Sequence, residues 1–499
     1  MNKKIILFKI GVCMAVMIHF SAAGQQSLEY TLEDIVSRAK NQSPAALRAE
    51  TRKENRFFQY RFFRSNYNPQ LRLGGTIPSY SQSFNNVVQP DGTIEFREVR
   101  QNFMDVELGL EQVIAATGGV VSVNSSTNRF DNYLATGSSP QTRWSGVPVN
   151  VRIDQPIFAF NPLKWDKKIE PLLFEESKRE YVEEMEEISR IVTLLFFDYL
   201  DAQVNLEIAN KNLKNTEEIL TIERGRYDLG TTYEDKLLQV ELQVLQAKQL
   251  LAQARLDMET NSLILKSYVG LNEATNLMLI PPSTIPTFDV PVEEAIERAF
   301  QNRADALGFD RRKLEADASV AQARGQRFYM NLGASYGYNN AALYWNDIYS
   351  NPNTQALLNL NFSIPVLDWG RNKARMGQAQ ANKKLIAYTV EQDIINFEQE
   401  IFTKVRNFTM LEQRMEITKL SDEVADKRYE ISLRRYQNGD VSITDLNIAQ
   451  QEKDSNRRSY IQSLREYWTA YYELRGLTLF DFENNKLLYL PNKIEPPVE

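Results

Sequence analysis

The chain is nearly devoid of histidine and cysteine: 499 residues carry one of each, His19 and Cys13. Both fall in a leader-like first segment, so the mature chain is expected to hold neither. That excludes imidazole acid–base catalysis, thiol nucleophiles, disulfides, Cys/His zinc sites and haem attachment. Carboxylate-only or Ser/Lys chemistry is what remains for an enzyme, and no cofactor is expected. Long hydrophobic runs are missing as well. Beyond the leader no stretch offers 18 uninterrupted apolar residues, which excludes helical membrane spans. Positive charge is also short, with 58 Lys and Arg against 65 Asp and Glu. Losing Lys3, Lys4 and Lys9 with the leader takes the net charge from −7 to −10. An acidic chain is a poor partner for nucleic acid.

The leader spans Met1 to about Ala23. Lys3 and Lys4 precede an apolar core, Ile5 to Phe20, interrupted by Lys9, and Ser21-Ala22-Ala23 offers a cleavage site. This is the pattern of a secretory signal, and it is short for a spanning anchor. Cys13 follows Val12 inside the apolar core, so no lipid anchor is expected. An exported chain without spanning helices is either soluble or inserted as β-strands.

The sequence is a duplication. Gln155-Pro156-Ile157-Phe158 matches Ile364-Pro365-Val366-Leu367, and Arg226-Tyr227-Asp228-Leu229-Gly230 matches Arg435-Tyr436-Gln437-Asn438-Gly439. Both pairs lie 209 residues apart. Leu32-Glu33-Asp34 and Val292-Glu293-Glu294 mark the two repeat starts, and the first repeat holds about 50 extra residues before its proline. The organisation read from this is a first repeat over 24–286, with strands at about 69–157 and a helical hairpin at about 163–270. A second repeat follows over 287–480, with strands at about 330–365 and a hairpin at about 372–476. Residues 481–499 form a tail, and Pro491–Glu499 reads as unstructured.

Each repeat runs helix (about 31–66 and 291–328), alternating strands, proline, then a very long helix. Met185, Val192, Tyr199, Leu206, Leu213, Leu220 and Tyr227 recur every seven residues, with Ile188, Leu195, Ala202 and Ala209 between them. This is a coiled-coil seam. In the second repeat Ile394, Ile401, Phe408 and Met415 continue it, Asp422 breaks it, and Tyr429 and Tyr436 resume. Gly230 and Gly439 stop these helices. Capping boxes, Thr231-x-x-Glu234 and Ser442-x-x-Asp445, start the returning ones. At about 1.5 Å per residue the outgoing helix spans roughly 100 Å and the returning one roughly 57 Å. Two short helices end to end therefore match one long helix.

The strands alternate apolar and polar residues: Met104, Val106, Leu108 and Leu110 against Asp105, Glu107, Gly109 and Glu111; Val147, Val149, Val151 and Ile153; Leu358, Leu360, Phe362 and Ile364. Such strands suit a membrane barrel with a wet lumen or a soluble sandwich with one buried face. The acidic runs Glu183-Glu184 and Glu186-Glu187 read as a solvated or lumen face. Gly225-x-x-x-x-Gly230 lacks the lysine of a phosphate loop and follows a helix, so it is set aside.

The Gln-Pro-Ile-Phe strand exit with Lys164-Trp165, its Pro365-Val-Leu-Asp-Trp-Gly copy, the paired Arg-Tyr-x-x-Gly turns and the duplication together resemble the TolC family of bacterial outer-membrane efflux and secretion channels. The resemblance covers nearly all of the mature chain. It implies a mainly α fold with membrane β-strands, built as duplicated helix–strand–strand–long-helical-hairpin repeats. These form a trimeric β-barrel in the cell outer membrane and a long periplasmic α-barrel. It further implies a homotrimer with four strands per protomer, embedded in outer-membrane lipid. The implied partners are a periplasmic adaptor (membrane fusion) protein and an inner-membrane RND, ABC or MFS-type transporter. Function would be passive exit in a tripartite efflux pump or type I secretion system, with no enzyme activity. The prolines Pro156 and Pro365 would mark the strand-to-helix transition. The tip residues Arg226, Tyr227, Gly230, Thr231, Arg435, Tyr436, Gly439 and Ser442 would form the turns that receive the adaptor.

The family's entrance carries an Asp six residues after the second tip glycine, here Asp445; the equivalent in the first repeat is Lys236. A second gate Asp is replaced by Ile448, and a locking Arg by Val441. Asp445 is thus expected either to form a three-fold acidic ring neutralised by Lys236 or to cap its helix. The extra stretches at 102–112 and 119–127, with a turn at Thr117-Gly118-Gly119, either lengthen a hairpin beyond the membrane or add strands to the barrel; the four strands per protomer of the family favour the hairpin. The competing readings are a soluble periplasmic adaptor or coiled-coil scaffold, and a carboxylate-dependent cell-wall hydrolase.

Overall fold

The computed structural model describes residues 28–134, 141–272 and 277–490. The leader with Cys13 and His19, and Pro491–Glu499, lie outside them. The chain divides into two compact units, one of Met1–Lys53, Lys178–Arg303 and Asn396–Glu499, the other of Glu54–Ser177 and Ala304–Ile395. Among the described residues no helix is long and apolar enough to cross a membrane.

The elements in order are β1 (Leu28–Tyr30), α1 (Leu32–Gln42), α2 (Pro44–Ser65), β2 (Gln70–Val88), β3 (Ile94–Ile114), β4 (Gly119–Asn132), β5 (Gln141–Pro156), α3 (Pro162–Asp228) and α4 (Glu234–Val269). The second repeat gives β6 (Leu277–Leu279), α5 (Val292–Asn302), α6 (Ala304–Gly325), β7 (Tyr329–Ala342), β8 (Asn353–Ser363), α7 (Arg371–Asn438) and α8 (Ile443–Thr478). A two-residue hairpin pair, β9 (Phe480–Asp481) and β10 (Lys486–Leu487), follows. The first helices repeat at an offset of 260 residues, and α4 repeats as α8 at 209. The difference, 51 residues, lies among the strands.

Each early helix is broken in two, at Ser43 and at Arg303, both extended. Pro44 forces the first break, because a residue before proline is driven out of the helical region. Arg303 occupies the equivalent place without a proline.

In the first unit the seam is dry. Val192, Phe196 and Leu200 are fully buried, and so are Ile401, Val405 and Phe408 of α7. Asp422 interrupts the heptad because it pairs with Arg457 at 2.9 Å. β1 pairs in parallel with β6, joining the start of one repeat to the linker before the next. Gln203 clamps that linker by accepting from the Leu279 amide and donating to its carbonyl, both at 3.1 Å. The segment read as a tail begins with the β9–β10 hairpin, and Tyr489 is buried against Val182 and Leu479.

In the acidic run on α3 Glu187 is exposed and Glu186 is buried. Glu186 is 3% exposed and holds Lys40 at 2.7 Å and Arg475 at 3.0 Å, while Glu184 takes Arg52 and Glu187 takes Arg190. Counting acids could not reveal the buried one, because its cations, Lys40 and Arg475, come from distant segments. Buried carboxylates persist only when paired.

The second unit holds one antiparallel sheet of six strands in the order β2-β3-β4-β5-β7-β8. The first repeat supplies four and the second two. The extra stretches at 102–112 and 119–127 are inner strands of this sheet. β3 pairs β2 on one side and β4 on the other, and β4 pairs β5. Their connecting turn lies at the helix-bearing end: Asn161, just before α3, donates to the Ala115 carbonyl at 2.8 Å, and Gln155 donates to that of Thr117 at 3.2 Å. The hairpin that protrudes at the far end is β2–β3, whose paired residues continue to Val88 and Ile94. Pro78 and Pro148 fall at register shifts, where the missing N–H breaks no ladder bond.

Candidate functional site

The helix tips are built by two identical stops. Gly230 and Gly439 stand at φ +71° and +84°. Thr231 N–H donates to the Arg226 carbonyl at 2.9 Å and Gly230 N–H to that of Tyr227 at 2.8 Å; Asp440 to Arg435 and Gly439 to Tyr436 repeat the pattern at 2.9 and 3.0 Å. These are paired Schellman closures, which require the left-handed residue. Nothing lies within 4 Å of either position for a Cβ to meet, so the backbone angle alone demands glycine.

The two restarts differ. Ser442 caps α8: its hydroxyl accepts from the Asp445 amide, and the Asp445 carboxylate accepts from the Ser442 amide at 3.2 Å and its hydroxyl at 2.7 Å. These Ser442 bonds, and more weakly Arg435, hold the Asp445 carboxyl below the usual carboxylate range. Thr231 caps nothing. Its hydroxyl donates back to the Arg226 carbonyl at 2.9 Å, and α4 starts after Tyr233 with no side-chain cap. The expected first box fails because Thr231 is already used in closing the preceding helix. Lys236 is exposed and makes no ion pair with Asp445 within the protomer.

Behind the turns lies an apolar cluster of Ile219, Val240, Tyr429, Tyr436, Ile443, Leu446 and Ala449. It draws on α3, α4, α7 and α8, so the hairpins of both repeats share one core. Tyr436 is 2% exposed, and its hydroxyl donates to Glu223 Oε1 at 2.7 Å. Arg226 donates to the same oxygen at 2.7 Å and stands over the Tyr436 ring, 5.3 Å from its centre. Burial and Glu223 together push the Tyr436 phenol far above its ordinary value, so it stays a donor at all working pH. Its counterpart Tyr227 is 41% exposed. Glu223 was not singled out in the sequence; the readable signal was its place three residues before Arg226, an i,i+3 ion pair. Farther up, Asn215 donates to the Tyr429 hydroxyl at 2.8 Å and Asn212 to Asp454 at 2.6 Å.

The tips expose different chemistry. Leu229 and Tyr233 on the first are 80% and 82% exposed, where the second carries Asn438 and Ser442. At the sheet, Pro156 is the last residue of β5, while Pro365 lies two residues past β8. Neither starts a helix. α3 begins at Pro162, with Asn161 accepting from the Lys164 amide at 3.2 Å. α7 begins at Arg371, with Asp368 accepting from Gly370 and Asn372. Past Pro156 the Ile157 amide still donates to the Met330 carbonyl at 2.9 Å, and other residues do the capping. Among the described residues no acidic, His or Cys group is arranged to hold a metal.

The arrangement matches known channels. The chain aligns with the crystal structure of the CmeC outer membrane channel of Campylobacter jejuni at TM-score 0.65 and 15% identity, over 91% of this chain and 87% of that one. The Vibrio cholerae outer membrane protein VceC gives 0.61 and 15%, over 90% and 95%. The open-state Neisseria gonorrhoeae MtrE outer membrane channel gives 0.57 and 14%, over 90% and 89%. No curated protein sequence matches. The family model for outer membrane efflux proteins matches residues 35–271 and 295–478, both repeats and most of the chain. The chain therefore belongs to the outer membrane efflux protein family, as a transport duct of the outer membrane with its helical part in the periplasm.

Proposed function

We propose that three copies of the chain assemble into one exit duct, and that the helix tips form its periplasmic entrance and the contact with the adaptor. The observation that carries this is the sheet: one protomer ends in two edge strands, β2 and β8, each paired on one side only and exposed along its whole length. Unpaired backbone groups cost several kcal/mol each in lipid. A membrane sheet of this kind needs further copies to close it, and family membership makes the membrane its setting. Efflux through such a duct draws its energy from an inner-membrane transporter reached through an adaptor. We assign that transporter to the RND, ABC or MFS type.

At the entrance, Asp445 from three copies would form a ring of carboxylates, with Lys236 of each first tip as the mobile counter-charge. The exposed Leu229 and Tyr233 would give the adaptor its apolar purchase. Asp445→Ala then raises the closed-state conductance of purified channels in planar bilayers. Ser442→Ala, which removes the cap partner and keeps the charge, leaves it unchanged. Equal conductance for Asp445→Ala and the parent would reduce Asp445 to a helix cap.

A further inference from the structure

The six strands carry an alternation that runs across the whole sheet. One ladder row reads Leu71–Leu110–Val123–Val151–Tyr336–Ala356, each residue the direct partner of the next. The next row reads Arg72–Gly109–Asn124–Asn150–Gly337–Gln355. Because successive residues of a strand point to opposite faces, the first row lies on one face and the second on the other. The apolar face continues with Leu73, Leu108, Val149, Leu358 and Leu360, all exposed. The polar face continues with Gln70, Glu111, Ser122, Arg152 and Ser335 in one further row, which Leu357 of β8 closes as its one apolar member.

Over these rows the pattern treats β3 and β4 like the other four strands; farther along β4 the same face turns polar with Ser125, Thr127 and Arg129. A hairpin standing in water beyond the membrane has no reason to place Leu110 and Val123 in step with Val151 and Tyr336, nor Gly109 and Asn124 in step with Asn150 and Gly337. β3 and β4 have 21 and 14 residues, against the 9–11 that a tilted strand needs to cross the hydrocarbon. Their turn at residues 115–118 lies beside Asn161, at the end where the helices begin, and it is short. Barrels of the outer membrane have short turns on the periplasmic side.

The strand count also permits closure. β2 leaves the helices and β8 returns to them, so the two edges run in opposite directions. The β8 edge of one copy therefore meets the β2 edge of the next as an antiparallel pair, which an even number of strands allows. Resting on the three-copy reading above, we infer that all six strands cross the membrane and that the barrel has eighteen strands, closed by β2 of each copy against β8 of its neighbour. Barrel diameter grows roughly linearly with strand number, and sixteen to eighteen strands enclose an aqueous channel. This barrel would be about half as wide again as the twelve-stranded one that four strands per copy would make. The first repeat's inserted strand pair then serves to widen the outer-membrane exit, which suits bulkier cargo.

The test uses the full-length channel with single cysteines that carry an environment-sensitive fluorophore. Val123→Cys places the label on the apolar face of β4 and Asn124→Cys on its polar face. Ala334→Cys is the control on the apolar face of β7. Purified channels are reconstituted in phosphatidylcholine vesicles with nitroxide-labelled lipid, then with aqueous iodide. The inference predicts strong lipid quenching at residues 123 and 334, and at 124 quenching by iodide only. Lipid quenching at 334 but not at 123 would overturn the eighteen-stranded barrel and leave the channel standing. No lipid quenching at either position would overturn the membrane-inserted channel itself. Normal extraction mass for each labelled variant guards against misfolding, and Val121→Cys offers a second apolar position on β4.

Discussion

Tyr436 and Glu223 show how much a single pair settles at the helix tips. The phenol belongs to the second repeat and the carboxylate to the first, and their bond at 2.7 Å, with Arg226 on the same oxygen, ties the two hairpins of one protomer together. Glu223 is 5% exposed, so removing its donor leaves a charged acceptor short of one partner. Tyr436→Phe should cost about 1.5–3 kcal/mol at the tip. It should also raise both closed-state conductance and protease cleavage near Gly439; unchanged values would show the bond to be incidental. Asp445 gives a pH prediction. Its folded-state value is depressed, so its cap contributes above the unfolded carboxylate range and is lost as pH falls through the lowered value. The tip should therefore keep its protection against hydrogen exchange down to about pH 5 and lose it only in stronger acid. Tyr436 was legible as a seam position from the heptad. Glu223 was not, because the residue that buries it comes from 213 positions away. Periodicity within a helix names the buried face, but it is silent on which polar residue a distant helix will cover.

Among the elements, the helix tips and the strands were read with different success. Arg-Tyr-x-x-Gly followed by Ser-x-x-Asp predicted the second turn completely, because every bond in it is local. The first turn was half predicted: the same pattern of letters put Thr231 into the closing bond instead of the opening one. Gly439→Ala should cost about 1–2 kcal/mol through the left-handed backbone alone. A loss of heat stability in the purified channel would bear that out, and no change would contradict it. The strands were visible by alternation, those at 102–112 and 119–127 included, but not their places in the sheet, where these two are inner strands. Alternation says that a stretch is a strand; it does not say which strands lie beside it. For β4, Val123→Arg should cost about 2–4 kcal/mol if the residue faces lipid at mid-depth, and Asn124→Arg far less. Urea unfolding of the two variants in detergent-free vesicles measures the difference, and equal costs would remove β4 from the membrane.

At the scale of the molecule, the duplication was the most legible feature. Two exact offsets, 260 for the early helices and 209 for the late ones, partition the chain into a conserved plan and a 51-residue addition. The helices use the repeat to build a shared core at the tips. The sheet breaks the repeat, with four strands from one half and two from the other. The absence of His and Cys beyond the leader suits a duct, which must present walls and gates and has no bond to make or break. The open edges remain the decisive feature, since an inserted sheet with two free edges is not stable in lipid.

The most direct test is to join those edges in intact outer membranes. Leu71→Cys or Leu73→Cys on β2 is combined with Ala356→Cys, Leu358→Cys or Leu360→Cys on β8, the panel scanning the unknown register between copies. Cys13 in the leader is the sole native thiol in the sequence. At least one pair should oxidise to a ladder of covalent dimer and trimer in the carbonate-resistant membrane fraction. Protein released by carbonate as a monomer, with no pair forming a cross-link between copies, would contradict it.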